Sequence, residues 1–150
     1  MGKNRGFTLI ELMVTIAVLA IVAMMAAPSF TNTVRKNQLI GGTRDFVDVL
    51  TEMRSEAIFK QSDRVLALDS SVSPCVTPTC KQWSVPSHIS KDTGDSSVTF
   101  NRLGQSTVAA PADGQCFVFK HSGDAGLKSY VYVQKGGIVM YDKSATSCPT

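Results

Sequence analysis

The sequence predicts an α+β chain in which one long N-terminal helix, apolar in its first half and amphipathic in its second, packs on an antiparallel β-sheet head made of two small sheets. Three observations lead there. An apolar run occupies residues 7–27, broken by one charged side chain, Glu11. A helical period of apolar residues then continues to Lys60. Beyond Ser62 the helical period stops, and short runs of alternating apolar residues appear between Pro, Gly, Ser and Asp.

The apolar run comes first. Apart from Glu11 it holds only Thr8 and Thr15 as polar residues, and a helix from Phe7 to Pro28 measures about 33 Å, enough to cross a hydrocarbon core of roughly 30 Å. An ionised carboxylate inside such a span costs about 2–3 kcal/mol at the centre and less near the interface. Glu11 lies one turn from Phe7, within reach of the headgroup zone and of any α-amine created there. Ahead of the run stands a short basic leader, MGKNR, and then Gly6. In an ordinary secretory signal the small cleavage residue follows the apolar region, which is discarded; here it precedes that region, so a cut between Gly6 and Phe7 leaves the apolar helix on the mature chain. Lys3 and Arg5 hold the leader on the cytoplasmic side and send the remainder across the membrane.

Pro28 ends the apolar run and is expected to kink a continuing helix, because it lacks an amide donor and clashes with the preceding turn. From 29 to about 60 the helix becomes amphipathic. Val34, Phe46, Val47, Leu50, Met53, Ala57 and Ile58 recur at three- and four-residue spacings, with Arg35, Lys36, Arg44, Asp48, Glu52, Arg54 and Glu56 on other faces. Gly41 and Gly42 imply either a loosened turn or close packing against another element. Strands are expected near 64–69, 81–85, 97–101, 115–120, 128–134 and 137–141, and loops at 70–79, 87–96 and 109–114.

One domain of ordinary size remains outside the span. The formal charge is +3. Loss of Lys3 and Arg5 with the leader takes the 15 basic side chains to 13 against 12 acidic ones, a net +1, which is not the charge of an obligate nucleic-acid binder. No nucleophile elbow, phosphate loop or pair of carboxylates in a cleft is present, so the sequence gives no basis for an enzyme or a cofactor. His88 and His121 are isolated and read as surface residues; no metal site is expected. Trp83 reads as core or edge packing. The even count of four cysteines fits an oxidising compartment. Of three possible pairings, Cys75–Cys80 with Cys116–Cys148 needs the least rearrangement, the first closing a local loop and the second fastening the C-terminal tail to a strand.

The segment GFTLIELM, with Gly6, Phe7 and Glu11, resembles the prepilin motif of type IV pilins and type II secretion pseudopilins. The resemblance implies cleavage and N-methylation of Phe7 by a prepilin peptidase of the inner membrane, and pairing of Glu11 with the terminal amine of a neighbouring subunit. Pro28 fits the same family. MRSEAI at 53–58, VTFNRLGQ at 98–105 and AVLAIVAMMAAPSF within the first span look like the minor pilins of the GspH/FimT/FimU group, FimT above all. The expectation is therefore a leader at 1–6, a transmembrane and filament-core helix at 7–30 and a periplasmic head at 31–150. It describes a minor pilin held in the inner membrane by a single pass and then incorporated, at the tip or in an initiating complex, into an extracellular pilus with other major and minor pilins. The alternatives are a minor pseudopilin of type II secretion and a pilin that binds double-stranded DNA for uptake in natural transformation. Relatives are associated with DNA through a C-terminal Gly-Arg-x-Arg motif; the matching place, Gly136 to Val139, supplies neither arginine. Lys128, Lys135 and Lys143 remain as phosphate contacts, able to give weak, salt-sensitive binding, or as solvated lysines on a sheet surface.

Overall fold

A computed structural model of the chain describes residues 7–68, 75, 77–107 and 114–143, with the backbone alone at 25–29. The order of elements is α1 (Leu9–Phe59), β1 (Arg64–Ala67), β2 (Cys80–Gln82), β3 (Ile89–Thr93), β4 (Ser97–Phe100), β5 (Gly114–His121), β6 (Asp124–Gln134) and β7 (Val139–Asp142). The chain divides between Val34 and Arg35 into two compact units.

In the first unit the side chains from Phe7 to Met24 meet solvent on every face; Leu9 is 77% exposed and Leu19 65%. Among the described residues no helix is long and apolar enough to cross a membrane. The expected span runs over 25–29, where side chains lie outside the described residues, and the part before them, 9–24, measures about 24 Å against a hydrocarbon core of roughly 30 Å. The kink expected at Pro28 does not interrupt the helix: the backbone continues through it, and α1 runs unbroken from Leu9 to Phe59.

The second unit is an α+β head with two sheets. One is three-stranded in the order β2-β1-β4, the other four-stranded in the order β3-β5-β6-β7. The second sheet is antiparallel throughout. In the first, β1 pairs antiparallel with β4 but parallel with β2, Val65 opposite Cys80. The expected helix and antiparallel sheets are present, with this one parallel pair at the edge of the smaller sheet.

Leu39, Gly42, Thr43, Phe46, Leu50, Met53 and Ala57 form the buried face of α1, spaced at three and four residues as a helix requires. Val34 and Ile58, expected on that face, are exposed; they fall at its edges, and Leu39 and Thr43 take places the sequence pattern did not assign. Phe46 sits in the middle. Its ring lies 4.8 Å from Trp83, 5.3 Å from Phe117 and 5.2 Å from Phe119 between centroids, the last two edge-on, a geometry that adds to simple area burial. Leu66, Val98 and Phe100 of the three-stranded sheet belong to the same buried cluster as Phe117, Phe119, Val131 and Val133 of the other. One helix face therefore holds both sheets.

Two polar contacts fix the register of α1. The Thr43 and Ser129 hydroxyls, both fully buried, lie 2.7 Å apart, and Thr43 also donates to the Leu39 carbonyl. The Trp83 indole N–H donates to Asp45 Oδ2 at 2.6 Å. Gly42 resolves its two readings in favour of close packing: a Cβ there would stand 2.7 Å from Ile89 Cδ1, whereas one on Gly41 would meet nothing. The helix closes with Gln61 at φ 50°, the Ser62 amide donating to Ala57 O and the Gln61 amide group to Ile58 O at 2.7 Å. This is a left-handed C-terminal cap built without glycine.

The strand β3 lies where a loop was expected at 87–96. Its sequence, ISKDT, has one buried residue, Ile89, and is otherwise polar, as suits the edge of a sheet; it carries no alternation to read. His121, read as a surface residue, is buried at 7% exposure. Its Nε2 is 3.0 Å from Gln38 Oε1, and its Nδ1 accepts the Gly123 amide at 3.0 Å, so two local polar partners permit the burial.

Replacing Phe46 by Ala is expected to destabilise the head by about 3–5 kcal/mol, since it empties the centre of the aromatic cluster. The fluorescence of Trp83, the single tryptophan, reports the unfolding transition directly; a loss under about 1 kcal/mol would contradict the central place given to this ring.

Candidate functional site

Three places in the chain carry candidate functional residues, and each is built by local rules. The first is the start of α1. Thr8 precedes the helix, and its hydroxyl accepts the Glu11 amide at 3.3 Å. Glu11 Oε2 in return accepts the Thr8 amide at 3.1 Å and the Thr8 hydroxyl at 3.0 Å. The reciprocal pair is a capping box, T-x-x-E, which satisfies two amides that the first turn would otherwise leave open. The signal stands in the sequence as Thr8 and Glu11 and was missed there, because the carboxylate was weighed only for its charge. Glu11 thus closes its own first turn, and its carboxylate is held beside Phe7 and facing solvent. Gly6, the other half of the expected cleavage pair, lies outside the described residues.

The second place is the far end of α1. The segments 53–58 and 98–105, separate in the sequence, meet here. Arg54 Nε donates to Gly104 O at 3.0 Å, and Nη2 is 3.5 Å from Gly136 O. Asn101 Oδ1 accepts the amides of Leu103 and Gln105 at 3.0 and 2.9 Å, folding the loop after β4. Gly104 has φ +74°, and a Cβ on it would stand 2.6 Å from Ile58 Cδ1; Gly137, at φ +81°, packs directly on Gly104 O. Both positions need glycine for conformation and for space. The turn from β6 to β7, where an arginine motif was sought, is thereby held against α1 by Arg54 and the loop after β4.

The third place is the surface of the four-stranded sheet. Lys120 Nζ and Lys128 Nζ each lie 2.8 Å from a different oxygen of Asp92. The register of β3 on β5 skips Asp92, passing from Lys91 to Thr93, and a bulge of this kind re-aims a side chain. Hydrogen bonds from Lys120 and then Lys128 hold the Asp92 carboxyl down to about 2. Lys128, a candidate phosphate contact, is therefore committed to an ion pair. Lys135 and Lys143 are exposed, in the turn after β6 and just after β7.

Cys75 and Cys80 are joined by a disulfide, and Cys80 opens β2. Cys116 is also disulfide-bonded; its expected partner, Cys148, lies outside the described residues. Among the described residues no three His, Cys, Asp or Glu side chains are placed to hold a metal ion.

Comparison with known proteins adds to this geometry. Residues 1–27 match the family described as the prokaryotic N-terminal methylation motif. The chain is 45% identical over 51 residues to prepilin peptidase-dependent protein D of Escherichia coli (strain K12), a match covering 34% of this chain and 35% of that protein. It is 34% identical over 73 residues to the type IV major alpha-pilin of Moraxella bovis, covering 49% of this chain and 45% of the pilin. The chain thus spans less than half the length of the curated relatives it matches.

The Asp92 cluster makes a pH-dependent contribution with a definite sign. A carboxyl held at about 2 in the folded head and near 3.9 in the unfolded chain stabilises the fold above about pH 4, and that contribution is lost as pH falls through about 2. Denaturation of the parent and of Asp92→Asn between those limits checks it: the parent should lose more stability on acidification than the variant, and identical slopes would contradict the pairing.

With a prepilin methylation motif at its start, similarity to two pilin-related proteins and an α+β head of two sheets on one helix, the chain is type IV pilin-like.

Proposed function

We propose that this chain is a minor subunit of a type IV pilus, made as a prepilin in the inner membrane with its head in the periplasm. In this reading a prepilin peptidase cuts between Gly6 and Phe7 and methylates the new amine, and the mature helix passes from the bilayer into the fibre. Residues 7–28 then exchange lipid for neighbouring pilin helices, burying the same apolar side chains in either setting. The observation that carries the reading is the methylation motif over residues 1–27, joined to a Glu11 carboxylate held beside Phe7 by the capping box. The E. coli relative, named as dependent on prepilin peptidase, supports the processing step.

Glu11 has two duties in this account. Within its own chain it caps the helix; between chains it receives the methylated amine of a neighbour and sets the axial register. A carboxylate in an apolar bundle is costly without a cation, so an unpaired Glu11 opposes insertion at a wrong register. Cys116 with Cys148 fastens the tail to β5 in the same reading, and the chain acts as a structural component, not as an enzyme. The pairing of Lys128 with Asp92 gives the DNA-binding alternative no added support.

The processing step is read by mass spectrometry of the mature chain from cells that contain a prepilin peptidase. The expected N-terminus is methylated Phe7; an intact leader would remove the proposal. Glu11→Ala is expected to be cut normally yet to fall at least about tenfold in the sheared fibre fraction, if the ion pair is worth 1.4 kcal/mol or more. Equal recovery of parent and variant would show that this charge sets nothing.

A further inference from the structure

Where α1 ends, four apolar side chains meet solvent. Ile58 is 43% exposed, Phe59 87%, Leu103 67% and Ile138 54%. Ile58 and Phe59 close the helix, Leu103 stands in the turn after β4, and Ile138 in the turn from β6 to β7. Gly104 packs on Ile58 and Gly137 on Gly104, which gathers the three segments at one corner. What projects there is a set of tips, not the wall of a groove. Their bases are fixed: Arg54 Nε donates to the Gly104 carbonyl, the Asn101 side chain holds the loop that carries Leu103, and the Ser106 amide donates to Lys135 O at 3.0 Å.

Charge within these segments has one sign. Residues 58–61, 101–105 and 134–138 include Lys60, Arg102 and Lys135 and no Asp or Glu; Asp63 follows two residues beyond the first segment. Lys60 pairs with Glu56 one turn back and keeps 48% of its side chain exposed. Arg102 and Lys135, both exposed, have no ion-pair partner among the described residues.

A clustered apolar patch on a head with a filled core marks an interaction surface. Four side chains fall short of the roughly 800 Å² per partner that a stable protein–protein interface buries, and tips offer no pocket for a partner's anchor residues. Apolar tips ringed by cations fit a lipid surface instead: the tips reach the acyl boundary while ammonium and guanidinium groups stay at the level of the lipid phosphates. We propose that this corner docks the head on the surface of an anionic bilayer, with Phe59, Leu103 and Ile138 inserted and Arg102 and Lys135 on phosphate. It is a membrane contact distinct in sequence from the apolar stretch 7–27, and it goes beyond the assembly reading without resting on it. The anchored turns matter here, because a preorganised surface loses little conformational freedom on binding.

Vesicle flotation tests it. The full-length chain, held by its apolar helix in nanodiscs of phosphatidylcholine, is mixed with larger vesicles and floated on a density gradient, so that capture reads the head. Vesicles of phosphatidylglycerol mixed with phosphatidylcholine are expected to carry the discs upward, and vesicles of phosphatidylcholine alone to carry at least about tenfold fewer, the difference that two cations at lipid phosphates supply. Added salt weakens the capture. Phe59→Ser with Leu103→Ser lowers it by at least about tenfold; both positions are exposed, so Trp83 fluorescence stays that of the parent. Arg102→Glu with Lys135→Glu removes the preference for anionic vesicles. Equal capture of the parent and the serine variant, or equal capture by the two kinds of vesicle, overturns the proposal. Discs that ignore both kinds also overturn it and leave the corner to a protein partner.

Discussion

Phe46 is the contact on which the head depends. A helix alone buries nothing, and the three-stranded sheet β2-β1-β4 is too small to close a core. The ring of Phe46, lodged among Trp83, Phe117 and Phe119, gives one helix face a hold on both sheets. The polar contacts of Thr43 with Ser129 and of Trp83 with Asp45 then choose one rotation of α1 about its axis, since a buried hydroxyl left without its partner would cost about 1–3 kcal/mol. Apolar area supplies the stability, and two hydrogen bonds supply the register.

The same division between apolar packing and a few polar fixings recurs at both ends of α1. At its start, Thr8 and Glu11 satisfy each other's amides; at its end, Gln61 enters the left-handed region and closes the last turn. Beyond that, Arg54, Gly104 and Gly137 interlock three segments that are distant in sequence. Neither glycine has room for a methyl group. The corner so formed is rigid, and it presents apolar side chains outward at the end of the helix.

Much of this was legible in the sequence, for reasons that differ by element. The period of Phe46, Leu50, Met53 and Ala57 is helical on its face, and the alternation of Tyr130 to Val133 marks β6. Strand β3 was not legible: Ile89 is its sole buried residue, so an edge strand of Ser, Lys, Asp and Thr reads as a loop. The parallel pairing of β1 with β2 is a matter of topology, which local pattern does not encode. His121 was placed on the surface because Gln38, which pairs with its Nε2, is distant in the sequence and adjoins it only once the chain folds. Among the candidate phosphate contacts, Lys128 is taken by Asp92, a residue of that same unrecognised strand. The capping box at Thr8 and Glu11 was present in the sequence and yields to the ordinary rule for helix starts.

A helix apolar on every face is stable in lipid or among other helices, and a head with its own core is stable in water. In the function proposed above, the two are joined in one subunit that passes from a bilayer to a fibre without refolding. Immunogold labelling of isolated, washed pili with antibody raised against the head tests that account most directly. The account predicts gold particles on the fibres, sparse or confined to their ends if the chain is the minor subunit proposed. Label restricted to membrane fragments, with fibres bare in a strain that makes the protein, would contradict it.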